Sequence, residues 1–158
     1  MANDMRPDHS TELFELTSYF EGHTTATGVF EDRFGRLKRR FNVTMTGAWR
    51  DGVFFLDEVF VYDSGRTETR TWRVVSTGRG RFTATCLDCV GVARGVCDAD
   101  SIRMTYKFRL TIGRRTLVVD FEDRIYRMDG GIAVNRATMR KWGVRLGELA
   151  LFFRREGV

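Results

Sequence analysis

Carboxylates occur inside stretches that are otherwise apolar, and a carboxylate in an apolar setting is a common basis of acid–base chemistry. Asp57 and Glu58 are adjacent within Phe54–Tyr62, which otherwise holds phenylalanine, leucine, valine and tyrosine. Since the side chains of a strand alternate between its faces, whichever face is inside brings one carboxylate with it. Asp123 and Glu148 each lie on the apolar face of a later segment. These four residues are candidate catalytic acids or bases.

A buried carboxylate is costly unless it is paired and hydrogen-bonded. Candidate partners are the tyrosines and arginines of the same segments: Tyr62, Tyr106, Tyr126, Arg70, Arg73, Arg124, Arg136 and Arg145. One hypothesis is an isomerase, cyclase or hydrolase that uses these carboxylates and tyrosines. The competing interpretation, which the pattern alone favours, is a set of structural ion pairs at the rim of the fold.

Motifs of other enzyme classes are missing from the sequence. It contains no Gly-x-Ser-x-Gly, no His-Glu-x-x-His and no Gly-x-x-x-x-Gly-Lys. Cys86-Leu-Asp-Cys89 has the spacing of metal and redox sites, but it falls at a strand end with only Cys97, His9 and His23 as further ligands. We therefore expect the cysteines to pack as apolar side chains, with no metal and no cofactor.

The elements that carry these residues are short strands separated by turn signals. After Gly22 the apolar residues recur at every second position, as is typical of strands. Nine turn signals follow: 32–35, 51–52, 63–65, 78–80, 88–91, 98–101, 113–114, 129–131 and 143. Connections this short exclude parallel crossovers, so the ten predicted strands run up and down. Closure would remove the two exposed edges, which favours an all-β, antiparallel up-and-down β-barrel over a sandwich or a half-open barrel.

The chain before the first strand divides into two parts. Leu13, Phe14, Leu16 and Phe20 have helix-like spacing after a capping serine or threonine, so residues 10–20 are predicted to form a short amphipathic helix that covers one end of the barrel. Residues 1–9 are predicted to be a flexible tail and residues 10–158 a single domain.

Composition agrees with this fold class. The 158 residues are 42% hydrophobic, with 16 glycines and one proline, and the net charge is +5. Glycine-rich turns and few prolines favour strands over a helical bundle. No apolar run reaches the length of a membrane helix, and the first residues lack the apolar core of a secretory signal, so we expect a soluble, cytoplasmic protein. The odd, low number of cysteines agrees with a reducing compartment.

A barrel of this size can hold one small ligand, and this is the leading functional hypothesis. The ligand is expected to be small and largely apolar, such as a fatty acid or another lipid with an anionic head. The predicted ligand-binding residues are aromatic side chains on candidate inner faces, arginines that could meet the head, and an asparagine among small neighbours: Trp72, Tyr106, Phe108, Phe121, Arg70, Arg136 and Asn135.

A third hypothesis concerns the basic run Arg33–Phe41, which could bind nucleic acid or an acidic partner. On a strand, however, Lys38 and Arg40 point away from Arg39 and Phe41. A solvated hairpin is therefore the preferred interpretation, and nucleic acid binding is not expected.

The sequence resembles an uncharacterised bacterial family of lipocalin-like proteins with a domain of unknown function. The resemblance extends from about Phe14 to Arg154 and rests on six segments: 19–22 with 28–30, 56–65 with 70–72, and 135–143 with Gly147 and Glu148. It implies a lipocalin-like (calycin-type) barrel and carries no catalytic residues. Many members are envelope lipoproteins, which leaves a periplasmic or envelope location open. This sequence lacks their N-terminal signal and acylated cysteine.

Overall fold

The computed structural model describes residues 12–157, except for the side chain of Ile112. The predicted tail at 1–9 and the predicted capping residues Ser10 and Thr11 lie outside the described residues. Within them, one short helix precedes ten strands: α1 (Leu16–Phe20), β1 (Gly22–Asp32), β2 (Leu37–Arg50), β3 (Val53–Tyr62), β4 (Thr67–Gly78), β5 (Arg81–Thr85), β6 (Cys89–Cys97), β7 (Ser101–Ile112), β8 (Arg115–Arg127), β9 (Ile132–Lys141) and β10 (Val144–Arg155).

The strands form a closed antiparallel barrel in which each strand pairs with its neighbours in sequence. Pairing of β1 with β10, from Thr24 with Arg155 to Asp32 with Gly147, completes the cylinder. Closure satisfies the backbone groups that two free edges would leave unpaired. The prediction of a ten-stranded up-and-down barrel is therefore confirmed.

Alternation along the strands places the predicted apolar faces inside. On β2 the buried residues include Phe41, Val43 and Met45. On β8 every second residue from Val119 to Ile125 is buried, and the residues that alternate with them are more exposed. Burial of these faces is the main contribution to stability, since each fully buried large apolar side chain contributes about 1.5–3 kcal/mol.

One end of the barrel is closed by residues 12–20, but the helix there is shorter than predicted. Instead of continuing a helix, the Phe14 amide donates to the Asp98 carbonyl oxygen at 2.7 Å, and no side chain caps α1. The Tyr19 hydroxyl donates to the Gly131 carbonyl oxygen at 2.8 Å. Gly47 of β2 allows the close approach, since an added Cβ would collide with the Phe20 carbonyl oxygen. We call this the plug end.

The opposite end carries five connections that have no helix across them among the described residues. These are residues 33–36, 63–66, 86–88, 113–114 and 142–143. We call this end the mouth.

Candidate functional site

A cavity of about 790 Å³ occupies the barrel. It extends from Leu16 and Phe20 of α1 to Ser64, Asp88 and Gly113 at the mouth. Its size lies within the range of small-molecule sites, about 300–1,000 Å³. A space of this volume means that the side chains of the barrel do not fill its interior. Most of the residues that line it are aromatic, aliphatic or methionine.

Glu58 and Arg70 form the first part of a polar cluster in the cavity wall. They lie opposite each other on β3 and β4, and Arg70 Nη1 is 3.6 Å from Glu58 Oε2. Both side chains are largely buried. The Arg70 guanidinium carbon lies 4.9 Å from the Phe60 ring centroid and 4.5 Å from that of Phe108, so two aromatic rings contact the cation.

Tyr106 and Asp123 form the second part, on the paired strands β7 and β8. The Tyr106 hydroxyl donates to the Asp123 carboxylate, 3.2 Å from Oδ2 and 3.3 Å from Oδ1. The Tyr106 ring stacks on Phe121 at a centroid distance of 5.3 Å and meets Trp72 edge-on at 5.3 Å. These ring contacts hold the hydroxyl in place inside the cavity.

The electrostatics of the cluster follow from its burial. Burial raises the pKa of Glu58 to about 7, although the Arg70 charge and the Trp72 indole act to lower it. Burial likewise raises the pKa of Asp123 to about 7, against the hydrogen bond from Tyr106, and the nearby Glu58 charge raises it further. Burial and the Asp123 charge raise the pKa of Tyr106 well above its usual value. Burial therefore favours the protonated form of both carboxyls much more than water does, and a raised pKa of this kind suits proton exchange.

Three buried side-chain atoms in the cavity wall have no hydrogen-bond partner among the described residues. They are Glu58 Oε2, Arg70 Nε and Asn135 Oδ1. All three residues line the cavity. A buried donor or acceptor without a hydrogen bond costs about 1–3 kcal/mol of free energy. A polar group that enters the cavity and forms hydrogen bonds with these atoms would therefore remove part of this cost.

Six of the predicted ligand-binding residues meet in this cavity: Arg70, Trp72, Tyr106, Phe108, Phe121 and Asn135. Of the predicted acids, Glu58 and Asp123 are there too.

The other predicted site residues lie on the outer wall. Asp57 accepts a hydrogen bond from the Thr71 hydroxyl at 2.6 Å and lies 3.6 Å from Arg50. Glu148 is bonded to Arg136 and to Arg145, each at 2.7 Å. Arg136, predicted at the ligand, and the candidate acids Asp57 and Glu148 therefore do not line the cavity; of the two adjacent carboxylates on β3, Glu58 is the one that faces inward. For these residues the ion-pair interpretation describes the structure.

Sequence reasoning missed several cavity residues. Phe60 and Leu56 lie on the same face of β3 as Glu58, and Arg39 lies at the mouth on the face of Phe41. The alternation along the strand shows that these residues share a face with Glu58 or Phe41. It does not show which face points into the barrel, and so it could not identify them as cavity residues.

Residues 12–157 contain neither a cluster of potential metal ligands nor a helix that could span a membrane. No group of three or more potential metal ligands lies together in this range. Burial raises the pKa of the Cys86 thiol to about 11 and that of the Cys89 thiol above its usual value, which disfavours reactive thiolates. None of the helices in this range has the length and hydropathy to span a membrane.

One solved structure with a TM-score above 0.5 agrees with the fold. The S-type phycobiliprotein lyase CPES from Guillardia theta superposes with a TM-score of 0.61 at 7% identity, over 90% of this chain and 92% of that one. The structure of EF1p2_mFAP2b bound to DFHBI gives a TM-score of 0.48 at 10% identity, over 87% and 95% of the two chains. No curated protein sequence matches significantly. The barrel is lipocalin-like, as the sequence resemblance implies.

Family membership follows from the sequence itself. The model of the family described as "Protein of unknown function (DUF3833)" matches residues 3–155, nearly the whole chain. This protein belongs to the DUF3833 family.

Proposed function

We propose that the protein binds a small, largely apolar ligand inside the barrel, a fatty acid or another lipid-like molecule whose single polar group meets the Glu58–Arg70–Asp123–Tyr106 cluster. The observation that carries this proposal is the apolar cavity of about 790 Å³ with unpaired buried polar atoms in its wall. An apolar chain would fill the space along the barrel axis, and its polar group would satisfy atoms that the protein leaves unpaired.

The charge of the cluster decides which polar groups it accepts. With Glu58 and Asp123 protonated, Arg70 is the one charged member and attracts a carboxylate or phosphate. With both carboxyls ionised, the cluster carries a net negative charge and repels the same head. Because both pKa values are raised to about 7, an anionic ligand should bind more tightly on the acidic side of neutrality.

Displacement of a fluorescent fatty acid by dodecanoate and by dodecanol tests this proposal. Dodecanoate should bind about tenfold more tightly at about pH 6 than at about pH 8, whereas dodecanol should show little change. Native mass spectrometry should give one ligand per chain. Failure of both probes to bind would refute the proposal.

Arg70→Gln should weaken the binding of dodecanoate and leave that of dodecanol nearly unchanged. Arg73→Gln is the matched control, because Arg73 is on the same strand but exposed on the outer face. Equal effects of the two substitutions would contradict a role of Arg70 at the ligand head.

A second candidate function, acid–base catalysis in the same cavity, is supported by the Tyr106–Asp123 hydrogen bond and the pKa of about 7 for Asp123. Here Asp123 would remove or return a proton and Tyr106 would donate a hydrogen bond to the developing charge, as in an isomerase or cyclase. Ligands that bind should then exchange C–H hydrogens next to a carbonyl with deuterium in D2O. Asp123→Asn should abolish this exchange without abolishing binding, and an absence of exchange in the unsubstituted protein would exclude this candidate.

A further inference from the structure

Three connections at the mouth each present a large apolar side chain to solvent. Phe34 is 66% exposed, Leu87 93% and Trp142 88%, which makes them the most exposed large hydrophobic residues of the part of the chain that the structure describes. They belong to three different connections, 33–36, 86–88 and 142–143, which surround the cavity opening. Exposed apolar residues scattered singly need no explanation, but three at the tips around one opening form a surface.

Trp142 also occupies a backbone conformation that does not suit it. Its φ is 51° and that of Gly143 is 76°, a two-residue turn in which asparagine, aspartate or glycine is preferred. The connection between β2 and β3 has the same conformation, with φ of 50° at Asp51 and 77° at Gly52, and uses the preferred residues. A bulky residue in this region is strained, so the fold itself does not explain Trp142.

Basic side chains contact the rings of Phe34 and Trp142. The guanidinium carbon of Arg33 lies 4.6 Å from the Phe34 ring centroid and that of Arg36 lies 5.5 Å from it. Lys141 Nζ lies 4.6 Å from the Trp142 ring centroid. Further exposed arginines at the mouth are Arg66, Arg114 and Arg115.

The plug end differs in both respects. Its connections between strands carry four aspartates and one arginine, whereas those of the mouth carry four arginines and two aspartates, Asp63 and Asp88. The aspartates of the plug end are Asp51, Asp98, Asp100 and Asp129. None of the three apolar tips lies there. The connections with a net positive charge and the most exposed apolar side chains of residues 12–157 are thus at the same end, the mouth.

We propose that the mouth docks on the surface of an anionic lipid bilayer, with Phe34, Leu87 and Trp142 inserted among the headgroups and the surrounding arginines and lysine in contact with lipid phosphates. Aromatic and aliphatic side chains flanked by arginine and lysine fit the bilayer interface, where apolar burial and attraction to anionic lipids add together. This placement would open the cavity toward the membrane. The docking does not depend on which ligand the cavity holds.

Other partners fit this surface less well. A second copy of the chain at the mouth would bring like charges together. Nucleic acid would use the arginines and could stack on Phe34 and Trp142, but it offers no role to the aliphatic Leu87.

The experiment is flotation with vesicles of phosphatidylcholine, with and without phosphatidylglycerol. The protein should float only with the anionic vesicles, and less at high salt. Trp142→Asn should weaken binding by about tenfold, the loss expected for one inserted aromatic side chain. Phe152→Asn is the matched control, because Phe152 is 59% exposed but lies on the outer wall, and it should float like the unsubstituted protein.

A charge-matched pair separates local from global electrostatics. Arg33→Gln with Arg36→Gln should weaken flotation strongly, whereas Arg81→Gln with Arg154→Gln lowers the net charge equally and should have little effect. No binding to anionic vesicles, equal effects of the two pairs, or equal effects of Trp142→Asn and Phe152→Asn would overturn the proposal. Trp142-dependent binding to single-stranded DNA without flotation would overturn it in favour of nucleic acid.

Discussion

The two interior carboxyls predict an unusual dependence of stability on pH. Folding raises the pKa of Glu58 from 4.5 to about 7 and that of Asp123 from 3.8 to about 7. Below about pH 4 both groups are protonated in the folded and the unfolded chain. Between about pH 4 and 7 the folded chain holds protons that the unfolded chain has lost, so the free energy of unfolding falls as pH rises.

The magnitude follows from the shifts. One pKa unit corresponds to about 1.4 kcal/mol, so each carboxyl should remove roughly 2–3 kcal/mol of stability between about pH 5 and pH 8. Because the Glu58 charge raises the pKa of Asp123, the loss belongs to the pair and is not divided cleanly between its members. The loss is a large fraction of the stability of an ordinary domain, about 5–15 kcal/mol.

Urea unfolding, followed by tryptophan fluorescence from about pH 5 to pH 8, measures this slope. Glu58→Gln and Asp123→Asn should each flatten it. Asp123→Asn should also raise stability at the alkaline end, because a neutral side chain of similar shape replaces a buried charge, whereas Glu58→Gln leaves the buried Arg70 without its ion-pair partner and should not. Asp57→Asn is the matched control, since Asp57 is adjacent to Glu58 but faces outward, and the slope should remain. Stability that is constant or rises over this range, or an equal flattening by Asp57→Asn, would refute the reasoning.

Three further substitutions test the packing of the plug, the mouth and the cavity. Gly47→Ala should lower the free energy of unfolding by about 2 kcal/mol or more, because the added Cβ displaces the Phe20 carbonyl. Thermal unfolding with Thr46→Ala as control checks this, and equal melting temperatures would contradict it. Trp142→Asn should raise stability by about 1 kcal/mol by relieving the left-handed backbone; a loss in urea unfolding would indicate that the tryptophan supports the fold. Ala137→Leu narrows the cavity and should weaken dodecanoate binding, so unchanged affinity in the displacement assay would place the ligand elsewhere.

Strand number, turn positions and the closed barrel could be predicted from the sequence because they depend on local signals. Glycine and aspartate mark connections whose backbone adopts positive φ, as at Asp51-Gly52. The predicted helix is longer than the observed one, because the Phe14 amide donates a hydrogen bond to the Asp98 carbonyl oxygen, which is remote in sequence. Such a long-range hydrogen bond leaves no trace in local spacing.

The site was predictable only in part, because both faces of several strands are apolar. Asp57 and Glu58 each had hydrophobic companions, and closure of the barrel decides which of them is inside. The same ambiguity made Glu148 a candidate acid. Phe152 lies on the same face of β10 and is apolar, but that face points outward and Phe152 is exposed. Its ion pairs with Arg136 and Arg145 depend on how β9 and β10 are aligned and on the turn that joins them. The spacing of residues along one strand does not reveal this alignment.

Most of the departures from ordinary folding rules lie in the cavity wall and at the mouth, although the buried Thr24 hydroxyl near the plug also lacks a hydrogen bond. Two buried carboxyls and unpaired polar atoms occur in the cavity wall, and a strained, exposed tryptophan occurs at the mouth above it. Each costs stability, and none is needed to close the barrel, since β2–β3 achieves the turn of β9–β10 with Asp51-Gly52. Features that lower stability and that the fold does not need are expected at sites where a protein binds its ligand or partner. The positions of Asp123 in the cavity wall and Trp142 at the mouth therefore agree with the two proposals made above, a ligand at the polar cluster and a partner at the mouth.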